Sequence, residues 1–183
     1  MINTKRKGSY GKMVPGLIGG QVLSMLIALM VSSLLGRFEN EYITAAMYLI
    51  CLGFGLFFSY HEGWIAGASD KIYINSNQIE YSPSHGFIAG TIASVLNLII
   101  AILAFLSAIT PLGKITVMGQ SVFEIIYRIW FWAFSVMFNL IQAAPILHFV
   151  PVIAMPIACG FGYIAGVKGF RLSEYIFYKK DNK

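Results

Sequence analysis

The chain reads as an all-α, multi-pass membrane protein, and three observations carry that reading. Of its 183 residues 57% are hydrophobic and 11% charged, with a mean hydropathy of +0.72, far from the average of soluble domains. Several apolar runs reach the roughly 20 residues that a helix needs to cross a bilayer. The basic residues gather at the two ends: Lys5, Arg6, Lys7 and Lys12 in front, Lys168, Arg171, Lys179, Lys180 and Lys183 behind. A net charge of +5 distributed in this way points to a bilayer with an anionic inner leaflet as partner, and not to nucleic acid. Residues 1–183 are expected to form a single integral membrane domain.

In chain order, a basic tail (1–13) leads into a first span over 14–35. Pro15 sits in its first turn, where a missing N–H costs nothing. Gly16, Gly19, Gly20, Gln21 and Ser24 make the first half of this span small and polar, which suits burial among helices better than contact with lipid. The run is too long for the h-region of a signal peptide, so it reads as an anchored helix. After a tight turn comes a second span over 42–60, then a polar loop over 61–85. Within that loop Lys71–Ile74 and Ile79–Ser82 flank a polar four-residue turn, a pattern that predicts a small cytoplasmic β-hairpin.

The third span covers 86–109. Residues 121–142 predict an amphipathic helix: at 100° per residue, Ser121, Glu124, Arg128, Ser135, Asn139 and Gln142 fall within a stripe of about 60°. The last span, 146–167, contains Pro151 and Pro156 and should be kinked or begin irregularly. A basic tail (168–183) follows. Cys51 and Cys159 fall inside apolar runs and read as reduced packing residues.

Charge decides between two topologies. If all five apolar segments cross, the two basic tails lie on opposite faces of the membrane, against the positive-inside bias. If the 121–142 helix lies in the outer interface or re-enters, both termini are cytoplasmic. Lys71 then joins the tails inside, leaving Arg37, Lys114 and Arg128 outside. The expected architecture is therefore a bundle of four transmembrane helices plus one amphipathic interfacial or re-entrant helix in a cell membrane, with five spans as the alternative.

One phrase recurs three times with only its aromatic varying: Gly63-Trp64-Ile65-Ala66-Gly67, Gly86-Phe87-Ile88-Ala89-Gly90 and Gly162-Tyr163-Ile164-Ala165-Gly166. Glycines at i and i+4 leave one helix face without side chains, so a second backbone can approach closely. On this reading leucine at Gly67 or Gly166 disrupts assembly, while alanine at Gly63 is mild.

Chemistry is sparser. His61, Glu62 and His85 are the candidates for a divalent cation, but no fixed ligand spacing such as H-E-x-x-H accompanies them, so neither metal nor cofactor is expected. Glu124 and Arg128 form an i,i+4 pair that reads as self-neutralising. His148, alone before a proline-containing run, reads as a boundary residue. No P-loop and no nucleophile elbow is present.

The expectation is a non-catalytic membrane protein that assembles through its small-residue faces, as a homo-oligomer or with a partner subunit. One alternative is a small-solute transporter or permease subunit with a polar path along Glu124, Arg128, Ser135, Asn139 and Gln142. The other is an intramembrane lipid-modifying enzyme.

Overall fold

Helix α1 runs over Tyr10–Leu35 and turns back at once into α2, Glu41–Asn75. Asn40 starts α2 firmly: its Oδ1 accepts the N–H groups of Tyr42 and Ile43 at 2.9 and 3.4 Å, and Glu41 puts a negative charge at the N-terminal end. Nothing in the next 35 residues breaks the helix, which at 1.5 Å per residue is about 52 Å long. It ends where Asn77 takes a positive φ of 56°. The computed structural model describes residues 10–35, 37–38, 40–110, 116–117, 120–138, 141 and 144–170.

The long α2 overturns two expectations. Residues 61–75 are helix, not polar loop, and Lys71–Ile74 belongs to the last turns of α2, so no hairpin forms there. Extending a formed helix by one residue costs little once it is nucleated, whereas an isolated two-stranded hairpin is marginal in water. The extended pairing among the described residues is a two-residue antiparallel ladder elsewhere, β1 (Thr116–Val117) with β2 (Gln120–Ser121).

The third apolar run divides into α3 (Ser84–Ala93) and α4 (Val95–Ile109), bent by 51° at Ser94. Ser94 leaves helical geometry at φ −82°, ψ 1° while its N–H still reaches the Gly90 carbonyl at 2.9 Å. The two halves answer to different neighbours: α3 is drawn onto the last helix and α4 covers α5, Val122–Trp130.

The helix expected over 121–142 is thus cut to nine residues. A 3₁₀ turn over Trp132–Met137 and a second over Pro145–Phe149 follow, leading into α6, Val150–Lys168. Here the seating of individual aromatic rings overrides helix propensity. Phe131 and Phe134 are buried in the main core cluster, and the Trp132 indole donates to Ser32 Oγ at 2.8 Å. Asn139 and Gln142 lie outside the described residues. The chain closes α6 with Gly169 at φ 73° and the paired bonds of a Schellman cap, Phe170 N–H to Ala165 and Gly169 N–H to Gly166.

All three glycine phrases meet in one place. An added Cβ at Gly63 or Gly67 would strike the backbone carbonyls of Cys159 or Tyr163, and one at Gly162 or Gly166 those of Tyr60 or Trp64. The contact between α2 and α6 is therefore reciprocal, backbone on backbone. Gly86 and Gly90 carry α3 onto the next face of α6, against Tyr163, Gly160 and Pro156. The small faces are consumed within one chain.

The interior mixes aromatic rings such as Tyr127, Phe131, Phe134 and Tyr163 with small polar residues: Gln21, Ser24, Ser59, Ser94, Asn97 and Ser107 are buried. Many large apolar residues face outward, Met30, Leu34, Leu49, Ile153 and Phe161 each more than half exposed, a larger apolar exterior than a soluble protein needs. Met13–Leu35, Glu41–Asn75 and Pro145–Lys168 are long and apolar enough to cross a membrane, and the bent pair α3–α4 makes a fourth if it is one span.

Candidate functional site

The segment from α5 to α6 brings a carboxylate, a guanidinium and an imidazole together. Helix α5 carries Glu124 and Arg128 on one face, and Arg128 Nε donates to Glu124 Oε1 at 2.9 Å. The 3₁₀ turn at Pro145 brings a third member, His148, whose Nε2 lies 2.9 Å from Glu124 Oε2. Its other nitrogen, Nδ1, lies 2.6 Å from the Pro145 carbonyl. His148 is 1% exposed. Tyr127 is packed edge-on to its ring at 4.6 Å and donates its hydroxyl to the His148 carbonyl at 3.1 Å. The Arg128 guanidinium lies over the Phe138 ring at 5.5 Å, an attractive placement for a cation.

Proton counting follows from the geometry. A carbonyl oxygen only accepts, so His148 Nδ1 carries a hydrogen. A hydrogen bond between Nε2 and a carboxylate oxygen then needs one further proton, shared by His148 and Glu124. Burial pushes the Glu124 carboxyl up, but the hydrogen bonds and charges of His148 and Arg128 outweigh it and leave its pKa below the ordinary value. Tyr127, by burial and then by the Glu124 charge, is held as the neutral phenol.

These groups line a cavity of about 270 Å³ together with Ser107, Ser121 and Ile141. Ser121 Oγ is shielded from solvent and makes no hydrogen bond within the described residues.

Deeper in the bundle, Trp130 at the end of α5 ties three helices together. Its carbonyl accepts from Gln21 Nε2 at 3.2 Å and its indole donates to Asn97 Oδ1 at 2.7 Å. Asn97 Nδ2 in turn reaches Met155 Sδ at 3.1 Å. This node borders a second space of about 20 Å³, lined also by Ser59, Gly90 and Ser94 at the α3–α4 bend. It is large enough for one water, and Gln21 Oε1 beside it has no partner within the described residues.

Of the stripe predicted from sequence, Ser121, Glu124 and Arg128 reach the cavity. Ser135 is buried with an unpartnered hydroxyl but does not line it. His148, read from sequence as a boundary residue, is instead buried and bonded to Glu124; Gln21 is buried among helices as expected, but neither it nor Asn97 nor Trp130 was placed at a site by the sequence. His148 lies 24 residues from Glu124, beyond any local spacing rule.

The cation candidates are kept apart. His61 is stacked between Phe57 and Trp64 on an exposed face of α2. Glu62 lies against Gly16 and Gly20 of α1. His85 Nδ1 approaches the Tyr163 hydroxyl at 3.4 Å, which donates to buried Asp70 at 3.0 Å. Among the described residues no three His, Cys, Asp or Glu side chains group to hold a metal ion. Comparison of the chain with protein-family models, curated proteins and solved structures finds no match, so the geometry of this site carries the functional reading.

Proposed function

We propose that the chain is a gradient-driven permease for a small polar solute, set in a cell membrane with four spans and both termini cytoplasmic. In this reading α5 and the turns after it form a re-entrant segment from the outer side. The helix α5, at nine residues, is only about 13 Å long, and its last residue meets Gln21 and Asn97 deep in the bundle.

The observation that carries the reading is this meeting of irregular backbone with a broken helix. Non-helical backbone at membrane depth is tolerated where it is buried in protein or lines an aqueous space. Discontinuous helices beside buried polar groups mark solute sites in secondary transporters. Helix α5 carries both the Glu124–Arg128–His148 cavity and, at its end, the Trp130 node, which borders a second small space lined in part by Gln21, Ser59, Ser94 and Asn97.

The accessory-subunit reading keeps one specific support. Gly19 and Gly53 face open space and leave room for another membrane helix on α1 or α2.

The test is stopped-flow swelling of proteoliposomes against empty vesicles with a panel of small neutral and charged solutes. The permease reading expects faster entry of at least one solute and a changed rate for Trp130→Ala. Vesicles that match empty ones for every solute would sink it in favour of the accessory role.

A further inference from the structure

We infer that the Glu124–Arg128–His148 cavity binds a small monovalent anion of the carboxylate type together with one proton, and that the two are carried as a neutral pair. The inference rests on the permease reading and adds to it the class of substrate and the coupling ion.

The argument is one of charge. With the shared proton present, Glu124 is negative while Arg128 and His148 are positive, so the set carries a net charge of +1. Without that proton His148 is neutral and the set sums to zero. The described residues lining the cavity add no other charge: Ser107, Ala108, Ser121, Ile141 and Pro145 are neutral. Tyr127, the remaining titratable group packed on the pair, is a neutral donor to the His148 carbonyl. His148 is 1% exposed while Glu124 and Arg128 keep 17% and 21% of their side-chain surface; in such a partly desolvated site an uncompensated charge costs more than a paired one.

Two states are therefore neutral: empty without the proton, and filled with the proton and one monovalent anion. The half-filled states, proton alone or anion alone, carry a net charge. By linkage each ligand raises the affinity for the other by the same factor.

The structure supplies a means of release as well. Removing the proton leaves the Nε2 lone pair of His148 facing a carboxylate oxygen at 2.9 Å, so α5 and the Pro145–Phe149 turn lose the bond that joins them. Arg128 is the natural partner for a carboxylate or other flat anion. Ser121 Oγ, shielded and unbonded within the described residues, can donate to it. The cavity of about 270 Å³ lies just below the size of pockets that take drug-sized ligands and has room for a small carboxylate.

The full chain in proteoliposomes tests this with three radiolabelled probes of similar size: lactate, neutral glycerol and the cation tetramethylammonium. The expected result is saturable uptake of lactate alone. Acidifying the outer solution should accelerate it about tenfold, within the usual range of coupling energies, and an imposed membrane potential should leave it unchanged. In Glu124→Gln the ratio of uptake with and without the acid gradient should fall to about one. Arg128→Gln should abolish saturable lactate uptake, and Arg128→Lys, which keeps the charge, should restore part of it. That contrast separates a charge effect from misfolding.

Saturable glycerol or tetramethylammonium uptake without lactate would leave the permease reading standing and overturn the inference. So would lactate uptake that follows the membrane potential, or a Glu124→Gln variant that keeps the parent's gradient ratio. No saturable uptake of any probe overturns both.

Discussion

At the scale of single residues the protein turns on one imidazole. Glu124 and Arg128 are visible in the sequence as an i,i+4 pair, and the structure contains that pair. Its meaning changes once His148 arrives from the far side of the cavity and takes the second carboxylate oxygen. A pair that reads as self-neutralising becomes a hydrogen-bonded triad.

The lowered Glu124 pKa has a consequence for stability. A carboxyl whose folded value lies below its unfolded one contributes stability that is present above the unfolded value and lost as pH falls through the folded value. Thermal unfolding in detergent should therefore show an acid limb that begins near the ordinary carboxyl value of 4.5 and is complete below the lowered one. Glu124→Gln should flatten that limb and cost about 1–3 kcal/mol at neutral pH, the usual range for hydrogen bonds to a charged group. An unchanged acid limb in the variant would mean that another carboxyl dominates.

At the scale of elements the controlling contact is that of α2 with α6. Four glycines on the two helices face each other's carbonyls, so any side chain added there meets backbone that cannot rotate away. Gly67→Leu and Gly166→Leu should each destabilise the fold by more than about 3 kcal/mol, beyond the usual cost of overpacking a core. Differential scanning fluorimetry in mild detergent would measure this as a large fall in Tm. Because the contact is intramolecular, the loss should appear as unfolding of the single chain, with no dissociation of an oligomer at lower temperature. The structure reverses the sequence-based view of Gly63: even the Cβ of Gly63→Ala strikes the Cys159 carbonyl, so that variant should cost about 1–3 kcal/mol. A Gly63→Ala variant as stable as the parent would mean that α2 and α6 stand further apart.

At the scale of the whole molecule, the many exposed Leu, Ile, Met and Phe side chains on helices long and apolar enough to cross a membrane are compatible with a lipid-facing surface. The orientation proposed for it rests on the basic tails, which lie largely outside the described residues. Lys168 closes α6, and Arg171, Lys179, Lys180 and Lys183 follow within the distance over which positive charge controls orientation. Paired C-terminal fusions in a bacterial host, one reporter active only in the cytoplasm and one only outside, should give signal from the cytoplasmic reporter alone. A signal from the outer reporter would overturn the proposed orientation of the C-terminus.

The sequence by itself determined the all-helical class, the presence of long apolar helices and the polar face of α5, because composition and 3.6-residue periodicity are local properties. It also determined that the glycine faces pack, since a glycine pair at i and i+4 has no other strong use in a membrane helix. Only the tertiary structure decided what they pack against: one another, within a single chain. The same holds for the expected hairpin, where cheap extension of α2 won over a marginal pair of strands. It holds as well for the helix expected over 121–142, where seating the rings of Phe131, Trp132 and Phe134 ended α5 at Trp130. The candidate site was legible in Glu124 and Arg128, whose spacing is local. It was illegible in His148, Gln21 and Asn97, which reach it from three other elements. A hydrogen bond across that much chain leaves no trace in periodicity or spacing, because it exists only after the helices have packed.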